Sequence, residues 1–253
     1  MSVLAVIPAR LGATRLPRKP LRLLGGLPLV VRVWQHIVDL AVADVVVVAT
    51  DAAEIADAVV AAGGAVVLTS EGHPSGTDRI AEVARRPEYT RFSVVVNVQG
   101  DEPFVPMAAV RGALEMVTVY HFPLGTAAAP ASPAMLAEPN VVKVVCADDG
   151  RALYFSRAAI PFLREAADAD ERSALVRQHL GIYAYTREAL ATWVALPQHP
   201  LERIERLEQL RPLAAGLPMG VATISELPAG GVDTEADLAR ANALWHDLYA
   251  GRT

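Results

Sequence analysis

The chain carries two short segments whose side chains can bring anions and a cation together. The first is Pro8-Ala9-Arg10-Leu11-Gly12-Ala13-Thr14-Arg15-Leu16-Pro17-Arg18-Lys19-Pro20, which follows an apolar run and precedes a helical pattern. Arg10, Arg15, Arg18 and Lys19 put up to four cations on one loop. Its prolines fix φ and stiffen it, and Gly12 lets backbone come close to a ligand. Polyphosphate asks for such a set: planar guanidinium forks for non-bridging oxygens and a point charge for the rest. The loop matches neither G-x-x-x-x-G-K-[ST] nor G-x-G-x-x-G, and a solvated basic loop is the plain alternative.

The second segment is Asn97-Val98-Gln99-Gly100-Asp101-Glu102-Pro103, where an apolar run ends in an amide, a glycine and two acids. Mg²⁺ takes oxygen ligands, typically one or two carboxylates plus substrate phosphates. Asp101 is placed for that role, and Glu102, one residue on, is expected to point elsewhere. An acidic surface turn is the alternative. Asp233, in Gly230-Gly231-Val232-Asp233-Thr234, fits a helix cap better than a ligand unless it lies near Asp101. His73-Pro74-Ser75-Gly76-Thr77-Asp78-Arg79 sits at a strand-to-helix junction, where free N–H groups favour anions, or where Ser75 or Thr77 caps the helix. The six histidines have no HxH or HxxxH spacing, and there is one cysteine, so zinc is disfavoured. No G-x-S-x-G elbow is present.

The elements that must position these segments follow from periodicity. Apolar runs at 3–8, 45–48, 65–68 and 92–98 read as strands, and helical spacing covers 28–41, 52–62 and 76–86. Continuous apolar strands alternating with helices predict a doubly wound α/β fold with a mostly parallel sheet. Ligands of such folds sit beyond the C-terminal strand ends, here loops 8–20, 50–51, 69–79 and 99–103. The second half predicts a smaller β-rich lobe: strands at 141–147 and 152–156 around an Asp148-Asp149-Gly150 turn, and others at 179–185 and 220–224. Helices are expected at 200–215, with Leu201, Ile204, Leu207 and Leu210 on one face, and at 234–250, capped by Thr234. Residues 164–177 read as a polar, mobile surface segment. The chain is taken as one α/β domain over 1–253, with a nucleotide-binding half at 1–118 and a sugar-binding and dimerisation half at 119–253.

Composition narrows the class. Of 253 residues, 53% are hydrophobic and 20% charged, which opposes disorder, and a net charge of −5 opposes binding to nucleic acid. The lone Cys146 cannot form an internal disulfide and reads as a small buried hydrophobe. Its N-terminus lacks the basic region of a secretory signal. Met116–Ala137 has no charged side chain, but its prolines would break a spanning helix, so it reads as buried strand and loop. A soluble cytoplasmic protein with no membrane insertion is expected.

The stretches VIPARLGATRLPRKP (6–20), VATD (48–51), SGTDRIAE (75–82), VNVQGDEP (96–103), PNVVKVV (139–145), ALYFSRAAI (152–160), HLGIYAY (179–185), PLERIERLEQLR (200–211) and GVDTEAD (231–237) run nearly end to end. In that order they resemble the 3-deoxy-manno-octulosonate (Kdo) cytidylyltransferases. The resemblance implies that CTP and Kdo give CMP-Kdo and pyrophosphate with Mg²⁺, for bacterial lipopolysaccharide or a related surface glycan, in a homodimer. It implies Arg10, Arg15 and Lys19 on the triphosphate, and Ala9, Ser75, Gly76, Arg79 and Gln99 around cytidine and ribose. Asp101 and Asp233 would hold the metal. Arg157, His179, Tyr183, Glu208 and Gln209 would form the sugar pocket. Arg18 stands where the family commonly has Gly, Leu27 where Lys is frequent, and Leu11 where an aromatic is frequent. Competing readings are cytidylyl transfer to amino-Kdo or a sialic acid, a silent CTP-binding protein, and a nicotinamide oxidoreductase, which the missing G-x-G-x-x-G opposes.

Overall fold

The structure is a computed structural model that describes residues 1–12, 15–226 and 229–249. Ala13 and Thr14 of the cationic loop, and Ala250 of the helix expected over 234–250, lie outside the described residues. The chain forms two compact units. One is Ser2–Val105 together with the segment that begins at Ala229, and the other begins at Pro106. Compactness divides the chain after Val105 and groups the C-terminal segment with the first unit.

In chain order the first unit holds β1 (Val3–Ala9), a small hairpin of β2 (Leu23–Leu24) and β3 (Leu27–Pro28), and α1 (Leu29–Asp39). Next come β4 (Val45–Thr50), α2 (Ala53–Ala61), β5 (Ala65–Leu68), α3 (Gly76–Arg85) and β6 (Val94–Asn97). The four long-range strands are parallel in the order β6-β1-β4-β5. Leu4 to Ile7 and Val94 to Val96 are buried at consecutive positions, so both faces of these strands are covered, as their unbroken apolar runs predict. The chain steps from β1 through β4 to β5, then returns to the opposite side of β1 with β6. That reversal opens a crevice at the C-terminal ends of β1 and β6, where the cationic loop and the Gln99–Pro103 loop begin.

Leu16 anchors the cationic loop. It is fully buried with Leu24 and Leu29 against Val232, Leu238 and Ala241, and the last two lie on the C-terminal helix, Glu235–Tyr249. Thr234 caps this helix: its Oγ1 accepts from Asp237 N at 3.2 Å while the Asp237 carboxylate accepts from Thr234 N at 2.9 Å.

The second unit holds α4 (Met107–Thr118), β7 (Leu124–Pro130), α5 (Pro133–Ala137), β8 (Lys143–Cys146), β9 (Ala152–Ser156) and α6 (Ala169–Leu175). They are followed by β10 (Arg177–Thr186), α7 (Arg187–Ala195), α8 (Pro200–Glu205), α9 (Leu210–Ala214) and β11 (Met219–Thr223). β7 lies between parallel β11 and antiparallel β10, and the β8–β9 hairpin adds to β10.

Three expectations are corrected here. The strand-and-loop reading of 116–137 fails at its start, where residues 107–118 form a helix with Val110, Ala113, Leu114 and Val117 at helical spacing. Pro133 starts a helix instead of breaking one, because at the first turn its missing N–H is not needed. The helix expected over 200–215 breaks at Arg206, which sits at φ 56°, ψ 43°, and Leu207 N returns to Glu202 O at 3.2 Å. This is a left-handed helix stop with Arg where Gly is usual. Ile204 is therefore exposed, while Leu207 and Leu210 are buried. Cys146 is half-buried, and burial pushes its thiol up to about 11. Among the described residues no helix is long and apolar enough to cross a membrane.

Candidate active site

Backbone contacts bring the three chemical segments of the first unit together. Gly100 sits where a Cβ would lie 2.8 Å from Pro8 O, so only glycine lets the two loops approach this closely. Val232 N donates to Asp101 O at 2.9 Å, and a Cβ on Gly231 would lie 2.7 Å from Glu102 Oε1. The C-terminal segment is thereby held against the β6 loop, and Asp233 comes next to Asp101. Lys19 Nζ donates to Asp101 Oδ2 at 2.6 Å and to Asp233 Oδ1 at 2.8 Å. Arg15 adds a bond to Asp233 Oδ2 at 3.2 Å. Asp233 is thus not the helix cap: Thr234 takes that role, and the condition for reading Asp233 as a ligand is met.

The electrostatics follow from this geometry. Burial opposes the charge on Lys19, but Asp101 and Asp233 outweigh it and raise its pKa. Glu102 lies beside Gly231, within range of the cluster's charges. Burial, then the charges of Asp101 and Asp233, push its carboxyl up to about 8. A cavity of about 360 Å³ is lined by Ala9, Arg10, Arg15, Lys19, Ser75, Gly76, Arg79, Gln99, Asp101 and Asp233. Gly12, His73 and Gly100, from the segments singled out in the sequence, line it too.

On the α3 side of the cavity, side-chain bonds tie the elements together. Ser75 caps α3 by accepting from Asp78 N at 3.2 Å. The Arg79 guanidinium is buried and bonded to Asp51 Oδ2 at 2.7 Å and to Thr69 Oγ1. It thereby ties the ends of β4 and β5 to α3. His73 contacts Glu82 at 2.5 Å. Burial alone would raise the Glu82 carboxyl, but bonds from Ser70 N, His73 and Arg86 hold it at about 2.

Arg18 is different from its three neighbours. It lies at φ 56°, ψ 32°, which explains why glycine suits this position, and its guanidinium is paired with Glu54 at the start of α2. Arg18 is absent from the cavity lining. Arg18→Gly relieves about 1 kcal/mol of left-handed strain and gives up only an exposed ion pair that water screens. We expect the variant to keep kcat/KM for nucleotide within about twofold of the parent. Arg15→Ala should lose about 10-fold or more, the worth of one charge-assisted bond. Parallel steady-state assays check both.

In the second unit His179 and Tyr183 stand together, ring centroids 5.3 Å apart, and Tyr183 stacks on Tyr185. Burial, then the charges of Tyr185 and Glu208, push the Tyr183 hydroxyl far up. Gln209 is buried, and its Nε2 has no hydrogen-bond partner among the described residues. Arg157 spends its guanidinium on backbone: Nε donates to Glu205 O at 2.8 Å, Nη1 to Pro139 O at 3.0 Å and Nη2 to Arg206 O at 3.4 Å. It braces the unwound turn that carries Glu208 and Gln209. Lys143 supports Arg157 from below. Its side chain is fully buried, and its ammonium donates to Arg157 O, to Glu138 O at 2.9 Å and to Val141 O at 2.7 Å. Burial lowers its pKa. Sequence reasoning missed Lys143. Its signal is a lone cation inside an apolar strand.

His179 gives a pH prediction. Burial lowers its pKa to about 3. The unfolded ring takes a proton near pH 6.5, so stability from a neutral His179 is complete above that value and is lost as pH falls toward 3. His179→Gln should flatten the fall in urea midpoint between pH 6.5 and 5. An unchanged slope contradicts this.

The chain is similar to known proteins along nearly its whole length. The family model described as Cytidylyltransferase matches residues 4–221. A 3-deoxy-manno-octulosonate cytidylyltransferase of Gemmatimonas aurantiaca is 63% identical over 253 residues, covering 100% of this chain and 98% of the relative. One of Methylococcus capsulatus is 47% identical over 242 residues, covering 93% and 94%. A solved structure of CMP:2-keto-3-deoxy-manno-octonic acid synthetase complexed with CTP superposes with a TM-score of 0.89 at 37% identity, covering 98% of this chain and 100% of that one. The 4-diphosphocytidyl-2C-methyl-D-erythritol synthase of Anaerococcus prevotii shares the fold, with a TM-score of 0.62 at 14% identity over 96% and 97% of the two chains. The chain belongs to the cytidylyltransferase family, among the 3-deoxy-manno-octulosonate cytidylyltransferases.

Proposed function

We infer that the protein transfers a cytidylyl group from CTP to Kdo, giving CMP-Kdo and pyrophosphate. The observation that carries this reading is the cavity in which Lys19 bridges Asp101 and Asp233 beside Arg10 and Arg15. It combines cations for a triphosphate with a carboxylate pair already holding one positive charge.

That pair fits Mg²⁺. Its donors are all oxygen, and their shared grip on one ammonium supports a reading in which they share a single cation. Two protein carboxylates plus substrate oxygens are a normal set for this ion. When bound, Mg²⁺ supplies charge neutralisation at the phosphate. Asp101 and Asp233 would hold it. Arg10, Arg15 and Lys19 bind and orient the triphosphate, and Lys19 changes partners from carboxylate to phosphate as nucleotide enters. Ser75, Gly76, Arg79 and Gln99 receive the nucleoside. The anomeric hydroxyl of the sugar acid attacks the α-phosphorus. The new P–O bond forms as the α–β bridge breaks, pyrophosphate leaves and the hydroxyl proton is lost. Such transfers depend on positioning and charge neutralisation more than on covalent chemistry. We assign His179, Tyr183, Glu208 and Gln209 to the sugar acid, with Arg157 as their brace.

We further propose a cytoplasmic homodimer that supplies surface-glycan synthesis, as the family resemblance implies. Val119, Tyr120 and Leu153, at the charge-free stretch and in the hairpin, are exposed apolar residues suited to an interface. Sedimentation tests it. The reaction is tested by pyrophosphate release. We expect turnover only with CTP, Mg²⁺ and Kdo together, and lower kcat/KM with amino-Kdo or a sialic acid. Equal release without any sugar acid overturns the assignment.

A further inference from the structure

Thr126 lies inside β7 among small apolar residues, LGTAAAP, and is fully buried. Opposite it β10 slips register between His179 and Tyr183, with Gly181 at φ +70° inside the bulge. The bulge presents two groups to the Thr126 hydroxyl. Oγ1 lies 2.5 Å from Ile182 O and 2.9 Å from His179 Nε2. A hydroxyl has one proton to give and two lone pairs to receive with. Two oxygens 2.5 Å apart repel unless a proton lies between them, and a carbonyl oxygen has none. The Thr126 proton therefore goes to Ile182 O. The contact with His179 Nε2 then needs a proton from the ring, which makes His179 the donor.

The rest of the ring agrees. Phe155 meets it edge-on at 5.0 Å and Tyr183 lies at 5.3 Å, so aromatic walls fix its plane. Burial keeps it neutral, so one nitrogen carries the only ring proton. Nδ1 makes no hydrogen bond among the described residues, and it is not one of the sealed, unpartnered polar atoms.

We propose that Thr126 is a positioning residue that fixes His179 as its Nε2–H tautomer, leaving Nδ1 as an acceptor for a hydroxyl of the sugar acid and not as a partner for its carboxylate. The substrate half of this statement rests on the assignment of His179 to the sugar acid. The tautomer half does not, and it is read on protein without ligand.

Long-range ¹H–¹⁵N correlation spectra of the full chain with ¹⁵N-labelled histidine read the tautomer directly, with His179→Asn identifying the signals. The expected result is an Nε2 shift typical of a protonated nitrogen and an Nδ1 shift typical of a bare one. Protonated Nδ1 overturns the proposal. Thr126→Val removes the acceptor. It should abolish the single tautomer and raise KM for the sugar acid about tenfold, the worth of one hydrogen bond, with KM for CTP unchanged. Thr126→Ser should restore both. A Val variant that keeps the Nε2–H tautomer refutes the role of Thr126. A lost tautomer with unchanged KM for the sugar acid refutes the substrate half while leaving the cytidylyl-transfer reading intact. Thr126→Ser folded but inactive would show that the threonine methyl, not its hydroxyl, is what matters, and would overturn the proposal.

Discussion

Asp101→Asn is expected to lower kcat by about three orders of magnitude, about 4 kcal/mol at roughly 1.4 kcal/mol per decade. The amide keeps the size of the side chain and its place beside Gly100 and Val232. It removes the negative charge that both Lys19 and an incoming divalent cation need. Two anionic reactants then meet with less charge between them, and the loss falls on the transition state. Folding should change little, because the Lys19 ammonium keeps Asp233 as a counter-ion at 2.8 Å. A normal thermal midpoint with activity lost is the outcome to look for. Activity within tenfold of the parent removes Asp101 from the chemistry.

Glu202→Gln carries the largest expected effect on stability. Glu202 on α8 and Arg211 on α9 form a bidentate pair at 2.6 and 2.8 Å, with both side chains 8% exposed. Burial alone would raise the Glu202 carboxyl, but the Arg211 bonds hold it below its usual range. Glu202 also closes the capping box with His199 at the start of α8. Removing its charge takes the bidentate carboxylate away from a buried guanidinium, and breaking such a pair costs about 3–5 kcal/mol. Urea unfolding should show this loss. Pairing Glu202→Met with Arg211→Leu should recover most of it, since a buried ion pair contributes little beyond an apolar pair of similar size. If the double variant is as unstable as the single one, the pair stabilises the turn by more than charge cancellation.

Much of the first unit is legible in the sequence because its strands are covered on both faces. Continuous valine runs between helical stretches leave few alternatives to a parallel sheet, and the rule on strand ends then selects the Arg10–Lys19 and Gln99–Asp101 loops. Arg18 is legible only against its relatives: glycine there marks a left-handed residue, and the structure finds Arg18 in that conformation with its charge spent on Glu54. Asp233 is not legible alone. Its place depends on the Val232–Asp101 backbone bond and on the space left by Gly231, both long-range facts. The break at Arg206 is hidden because no glycine or proline marks it. Tertiary contacts supply the stop, through Arg157 bonding to the Glu205 and Arg206 carbonyls. Thr126 is hidden because a lone threonine in an apolar strand looks like any β-branched residue until the bulge in β10 faces it.

The central claim is that one cation position lies between Asp101 and Asp233 and that the triphosphate binds the Arg10–Lys19 loop. Anomalous diffraction from a crystal soaked with CTP and Mn²⁺ tests it most directly. The account predicts a manganese peak bonded to both carboxylates and to phosphate oxygen, with the Lys19 ammonium moved onto the triphosphate. A manganese peak away from both aspartates, with Lys19 still bridging them and nucleotide bound elsewhere, contradicts it.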